Sequence, residues 1–425
     1  MKILLLNQFF WPESAATSQL LTDLAVHLAE QGHEVSVICT EAGGYSISSD
    51  DQPPSVRIYR TKNLPFYRGA LGRVLSYASF YISAAIRGLS LQRQDLVLTL
   101  TTPPLLSLLG TAIKTLRGST HFIWEMDVYP DVAVDLEHFK AGGVIDRVCG
   151  MLADFSRHRA DGIIALGDCM KNRLVQRGID GDRIHVAENW ADGRSIMPVG
   201  RSPESEELTV LYSGNLGLAH DVDTISGAML NLKDDPRFRF VFVGGGGNSG
   251  RLVEFCSRNN LRHVSFHPYV QRSHLGNSLS IGDIGLVTQR ESCCGSVVPS
   301  KVYGLLAAGR PILFIGPEAA TPARIIRKFG CGWAVRCGDI DSLTDLLRRL
   351  ADDPREVFVA GQLARETFLN HYDRPLGVAR IADIMDVTRL SSNRNHFPGS
   401  LAVKEDILNP SYVSGSVPQT PERNL

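Results

Sequence analysis

GSVVPSKVYGLLAAGRPILF, residues 295–314, decides how the second half of the chain folds. Its residue types predict an exposed loop over 295–299, a helix over 300–308, a stop at Gly309 and an apolar strand over 312–315. Pro299 favours an extended approach, Ser300 can cap free backbone N–H groups, and Gly309 suits the left-handed residue beyond a helix end. A helix start that gathers free N–H groups, a hydroxyl and the amine of Lys301 suits a phosphate. Gly304, Ala307 and Ala308 leave room for a ligand close to the backbone. The same residues also suit an ordinary helix tucked between two strands.

Outward from this stretch the chain keeps an α/β rhythm. Strands are predicted at 209–213, 238–243, 264–267, 284–287, 311–315 and 333–335, with helical periodicity between them, as at Leu343, Leu346, Leu347 and Leu350. In the first half a strand over 2–7, a helix over 18–31 and a strand over 34–39 make a βαβ unit. Leu20, Leu21, Leu24 and Leu28 form the helix's apolar face. Further strands are expected at 95–100, 120–124, 160–166 and 182–189. This alternation implies parallel sheets. A polar, Pro- and Ser-containing stretch at 198–207 reads as a linker. The expected organisation is α/β with two Rossmann-like domains, 1–195 and 196–390. A Ser-, Asn- and Pro-rich tail over 391–425 is expected to be disordered.

Composition narrows the function classes. With 425 residues the chain can hold two domains, and 44% hydrophobic with 21% charged residues is ordinary for a globular protein. A formal net charge of −1 gives no case for nucleic acid as a partner. Eight scattered cysteines without a CxxC pair suggest a reducing compartment and no zinc site. The opening MKILLLNQ reads as a buried strand rather than a signal peptide, because Asn7 and Gln8 break its apolar run.

Residues 52–94 carry seven basic side chains and no acidic one, with aromatics interleaved. A helix is expected over 71–91. Two readings stay open. One face packs on the sheet while the arginines are merely solvated, or Arg68, Arg73, Tyr77, Phe80 and Tyr81 face an anionic membrane surface.

Three further places bear on chemistry. Glu125, Asp127 and Asp131 fall at the carboxyl end of a predicted strand, the edge that faces the ligand crevice in open α/β sheets. The small residues Ala15, Ala16 and Thr17 precede a helix and permit a polar ligand to approach. Gly245, Gly247 and Gly250 match G-x-G-x-x-G formally. They follow a later strand of their half, and no acidic residue for a ribose follows, so a dinucleotide site is disfavoured.

The string PSK-x-Y…AAGRP, about 80 residues after YSGNLG (Tyr212–Gly217), resembles the family 4 retaining glycosyltransferases. The likeness is greatest to the bacterial branch that builds surface polysaccharides and includes fucosamine-type transferases. DVYPD, residues 127–131, is similar to that branch's Asp-Leu-Trp-Pro segment. The resemblance implies the GT-B architecture and transfer of a sugar from a nucleotide sugar, UDP being expected, to a lipid-linked saccharide. That chemistry would take place at the cytoplasmic face of the membrane, without metal or other cofactor. It places the donor against Gly214, Asn215, Gly244, Gly245, Pro299, Ser300, Lys301, Tyr303 and Gly304, and on charge grounds Arg290 is a further candidate to offset the donor diphosphate. Asp127 and Glu125 become the candidate catalytic carboxylates, with Ala15–Thr17 lining the cleft. Two motifs depart from the family. Asn215 and His220 stand where an Arg and a Lys usually neutralise the diphosphate, and Val297 and Gly304 stand where paired glutamates are usual. A non-catalytic partner subunit and a sugar-nucleotide epimerase of the same fold are therefore alternatives.

Overall fold

The computed structural model describes residues 1–13, 15–41, 53, 55–62, 64, 70–199, 207–270 and 274–394. The first set of strands is β1 (Lys2–Leu6), β2 (Glu34–Thr40), β3 (Val56–Thr61), β4 (Leu96–Thr99), β5 (Thr120–Glu125), β6 (Gly162–Ala165) and β7 (Ile184–Val186). The second set is β8 (Leu208–Asn215), β9 (Phe238–Gly245), β10 (Val264–His267), β11 (Ile284–Thr288), β12 (Ile312–Ile315) and β13 (Gly332–Val335). Each set forms its own parallel sheet, in the orders β3-β2-β1-β4-β5-β6-β7 and β10-β9-β8-β11-β12-β13. The chain reverses direction across the sheet between β1 and β4, and again between β8 and β11. Ligand crevices open at the carboxyl ends of strands at such points.

The helices of the first half are α1 (Ala16–Glu30), α2 (Ala70–Ser90), α3 (Ser107–Arg117), α4 (Asp131–Asp135), α5 (Val144–Arg159) and α6 (Asp168–Gln176). Those of the second are α7 (Asp223–Asn231), α8 (Ser249–Arg258), α9 (Leu275–Leu279), α10 (Lys301–Ala307), α11 (Thr321–Phe329), α12 (Ile340–Asp352), α13 (Pro354–Thr367) and α14 (Arg374–Arg394). Both faces of each sheet are covered, which is why β1 and β12 read as unbroken apolar runs. Ile3 and Leu5 of β1 join Leu21 and Leu24 of α1 in one core, while Leu4 and Leu6 join Phe80 of α2 and Ile113 of α3 in another.

Three features differ from the sequence expectations. First, β3 lies inside the basic stretch at 52–94 and was not foreseen. It is an edge strand, and two of the stretch's arginines work locally: Arg57 pairs with Glu34 at 3.5 Å and Arg60 donates to Trp11 O at 2.7 Å. Second, the span 196–390 is not one packed unit. Its last helix, α14, returns to the first half, where Val378, Ile381, Ala382 and Met385 enter the core beside Leu20 and Leu24. Third, the helix runs through residues 391–394, into the span expected to be disordered. The rest of that tail and most of the expected linker lie outside the described residues. Among the described residues no helix is long and apolar enough to cross a membrane.

Candidate donor and acceptor cleft

The carboxyl ends of β8 and β9 are built from glycine because two backbones meet there. Gly214 and Gly244 are register partners with φ of 123° and 121°, in the region that disfavours L side chains. A Cβ on Gly244 would sit 2.3 Å from Gly214 O. A Cβ on Gly214 would sit 2.8 Å from Lys301 Cε, so the glycine gives the lysine its path.

Lys301 opens α10 and crosses this gap. Its Nζ donates to Asn215 O at 3.0 Å and lies 5.1 Å from the centre of the Tyr212 ring. Burial lowers its pKa from 10.5 to about 8, and among the described residues no carboxylate offsets that cost. A half-buried ammonium held by a carbonyl and a ring face keeps unused donor capacity for an anion. His220 is near by. Its Nδ1 donates to Thr288 O at 2.7 Å, and burial together with Lys301 lowers its pKa to about 4, so it is neutral at pH 7.

Lys301 and Gly214 line a cavity of about 250 Å³ between the two halves. The second half contributes Ser213, Ser300, Gly304 and Leu305, and the first contributes Ala16, Gln19, Leu20 and Asp23. The connecting segment supplies Asn189 and Trp190. Asp23 accepts from Trp190 Nε1 at 3.0 Å, and Trp190 stacks on Trp124 with ring centres 5.7 Å apart. The base of the cavity is thereby fixed to the first sheet.

Asp127 lies in the loop after β5 and meets the second half edge to edge. Its backbone forms an antiparallel bridge with Val297, and Val128 N donates to Ser296 O at 2.8 Å. The buried side chain of Gln289 shapes the opposing loop, donating to Cys293 O at 2.8 Å and Val297 O at 3.0 Å. Burial, with a contribution from Glu125, raises the Asp127 carboxyl from 3.8 to about 6. Its proton uptake therefore lies close to neutral pH, where an acid–base group is useful.

The cavity gathers Ala16, Gly214, Ser300, Lys301 and Gly304, while Asn215, Gly244 and Gly245 form the adjoining strand ends. Ala15 and Thr17 flank Ala16 at the start of α1, and Pro299 precedes Ser300 at the start of α10. Other expectations need correction. Glu125 is 2% exposed and ion-paired with Arg157 at 2.7 Å, so it supports the loop from beneath rather than facing the cleft. Tyr303 points into the core, 1% exposed and against Tyr372. Ser300 makes no capping hydrogen bond through its side chain, and the helix begins at Lys301. Arg290 is tied weakly across the cleft to Glu137 at 3.4 Å. On α2, Phe80 is wholly buried and the Tyr81 hydroxyl donates to Pro104 O. The aromatic half of the membrane-facing reading therefore turns inward, and Tyr77 is half-buried. Arg68 and the side chain of Arg73 lie outside the described residues. Among the described residues no group of three or more His, Cys, Asp or Glu is placed to hold a metal ion.

Sequence reasoning missed Tyr269. Its ring is 61% exposed, it packs where a Cβ on Gly245 would sit 3.3 Å away, and its hydroxyl is 3.5 Å from Asn215 Oδ1. An exposed aromatic beside a double glycine is a flat surface for a planar ligand. The signal was present, since HPYV follows a predicted strand.

The comparisons with known proteins agree with this layout. Residues 17–190 match the glycosyl transferase 4-like domain and residues 197–366 match the glycosyl transferases group 1. A putative colanic acid biosynthesis glycosyl transferase of Escherichia coli (strain K12) is 23% identical over 86% of this chain and 96% of its own. A probable glycosyltransferase of Pseudomonas aeruginosa is 27% identical over 68% of this chain and 74% of its own. Among solved structures, a sucrose-phosphate synthase from Thermosynechococcus elongatus superposes with a TM-score of 0.72. It is 14% identical and covers 92% of this chain and 100% of its own. An Anabaena protein solved with UDP and glucose gives 0.69 at 15% identity, over 91% and 100% of the two chains. With both halves matched and two parallel-sheet units facing one cleft, the chain belongs to the family 4 glycosyltransferases of GT-B architecture.

Proposed function

We propose that the protein is a retaining glycosyltransferase that moves a sugar from a UDP-sugar to a lipid-linked saccharide during surface-polysaccharide synthesis. The acceptor would be met at the cytoplasmic face of the membrane. The observation that carries this reading is Lys301, a cleft ammonium that has no carboxylate partner among the described residues. Cleaving a glycosyl–diphosphate bond builds negative charge on the leaving group, and a cation already in place lowers that barrier. Asn215 and His220 carry no charge at pH 7, so Lys301 would bear most of this role, with Arg290 at the rim. Tyr269 offers a surface for the nucleotide base. Asp127, with a carboxyl near 6, would orient the acceptor hydroxyl and take its proton.

The relatives support the donor and the pathway by their own descriptions: colanic acid biosynthesis for one, and a complex with UDP and glucose for the other. The test is incubation of the purified protein with a panel of UDP-sugars and a lipid-linked saccharide, with the product linkage read by NMR. Transfer with the donor's anomeric configuration kept is the expected result. Free epimerised nucleotide sugar, or no turnover with any donor, overturns it.

A further inference from the structure

We infer that the outer face of α5 is the surface through which this protein docks on an anionic lipid bilayer; the inference deepens the lipid-linked acceptor reading. The exposed residues of α5 are Val144, Ile145, Arg147, Val148, Met151, Leu152, Phe155, His158 and Arg159. Six are apolar, with exposures from 40% at Leu152 to 79% at Val144, and they recur at the 3–4-residue spacing of one helical stripe. A continuous apolar stripe left in water marks a binding surface rather than chance exposure.

The charge around the stripe selects the occupant. The exposed face carries Arg147, Arg159 and His158 and no carboxylate. The two acids of the helix are engaged elsewhere. Asp146 accepts from Gly142 N at 2.8 Å, and Asp154 is bound by Arg157 and Arg177 at 3.0 and 2.6 Å. Arg159 lies 4.5 Å from the centre of the Phe155 ring, an apolar body with a cation at its edge. Apolar side chains flanked only by cations suit the boundary between acyl chains and anionic headgroups. A water-soluble protein partner would have no reason to exclude every acid from the face.

The neighbouring helices extend the surface. Ser107 of α3 bonds Ser156 of α5 at 2.6 Å, and α3 shares a core with α2, so all three lie on one side of the first sheet. Leu116 of α3 and Val74, Ile82 and Ile86 of α2 are each at least 60% exposed. The buried side of α5 carries Arg157, whose guanidinium donates to Glu125 and to Tyr129 O beneath the Asp127 loop. The same helix thus presents lipid-seeking residues outward and holds the cleft loop inward.

The experiment is co-sedimentation of the full chain with vesicles of phosphatidylglycerol and phosphatidylethanolamine at low and high salt, with phosphatidylcholine vesicles as control. The wild type should pellet with anionic vesicles at low salt. Replacing Ile145, Met151 and Phe155 together by Ser should weaken this at least about ten-fold, while UDP affinity stays unchanged. Should that triple variant fold poorly, Arg147→Glu with Arg159→Glu should weaken binding about as much and restrict what remains to low salt. Undiminished pelleting of a folded variant overturns the proposal. So does a wild type that ignores vesicles and is a dimer by light scattering which the Ser substitutions make monomeric, since the face would then meet a second copy. Sugar transfer to a water-soluble acceptor is measured in parallel. Vesicle binding without transfer removes the proposed reaction and leaves the docking surface standing; transfer without vesicle binding does the reverse.

Discussion

Arg157 Nε lies 2.7 Å from Glu125 Oε1, and the two side chains are 3% and 2% exposed. The pair begins an alternating chain of charge. Arg157 continues to Asp154, Asp154 to Arg177, Arg177 to Asp131, and Asp131 to Arg173, which also grips Asp135. Asp131, the last residue of DVYPD, belongs to this network rather than to the cleft. Removing one member of a buried pair strands the other charge, at a cost of about 3–5 kcal/mol. Arg157→Met should therefore lower unfolding stability by about that amount in urea titrations. The double variant with Glu125→Leu should recover a good part of it. A single variant as stable as the wild type would show that water reaches Glu125.

Arg173 carries the network across to the second half, donating to Cys294 O at 3.2 Å and Ser292 O at 3.4 Å. Those carbonyls sit in the loop that places Val297 against Asp127. Arg173→Ala should release the loop and lower kcat about ten-fold, because misplacing reacting groups is costly even without loss of contacts. Affinity for UDP should change little, since Lys301 and the glycine turns are built on other elements. Equal losses in kcat and nucleotide affinity would mean that Arg173 supports the donor site itself.

Asp127 gives a pH signature with a definite sign. Its folded pKa is raised, so the fold disfavours the charged form, and the resulting loss of stability develops as pH rises from 3.8 through about 6. Asp127→Asn should be neutral to stability below pH 4 and stabilising at pH 7, on the order of 1 kcal/mol for a half-buried group. Transfer activity should rise through pH 6 in the wild type and lose that limb in the variant. An unchanged acid limb would remove Asp127 from proton transfer.

The two-sheet plan was legible because parallel strands buried on both faces are written as unbroken apolar runs, as in LLL of β1 and ILFI of β12. The glycine run after β9 was legible as a tight strand-to-helix turn, whereas the close approach of Gly244 to Gly214 was not, because it is set by the pairing of two strands 30 residues apart. Glu125 was misread for a reason no local pattern reveals. Its partner Arg157 lies 32 residues away, and burial alone separates a supporting carboxylate from a reacting one. The helix α2 was misjudged at its aromatics because a stretch rich in both aromatics and arginine does not say which face turns inward. On α5 the opposite happened: its apolar residues suit a buried face, and only their exposure shows that they are unpartnered.

Lys301 tests the cleft most directly, because a structural and a functional lysine forecast different outcomes. Its pKa is lowered to about 8 by burial, so the fold carries an unfavourable charge below pH 8, and that cost disappears as pH rises toward 10.5. Lys301→Met removes the charge while keeping the stem that covers Gly214 and Tyr212. Stability without ligand at pH 7 should then be kept or raised, within about 1 kcal/mol. Affinity for UDP should fall about ten- to a hundred-fold, the worth of one charge-assisted contact to phosphate. In the wild type, UDP affinity should also decline above pH 8 as the free protein loses the ammonium, and the variant should show no such decline. Isothermal titration at pH 7 and pH 9, with urea unfolding of both proteins, reads all four quantities. A variant that loses stability and still binds UDP as the wild type does would make Lys301 a brace for the Asn215 turn and return the diphosphate to other groups.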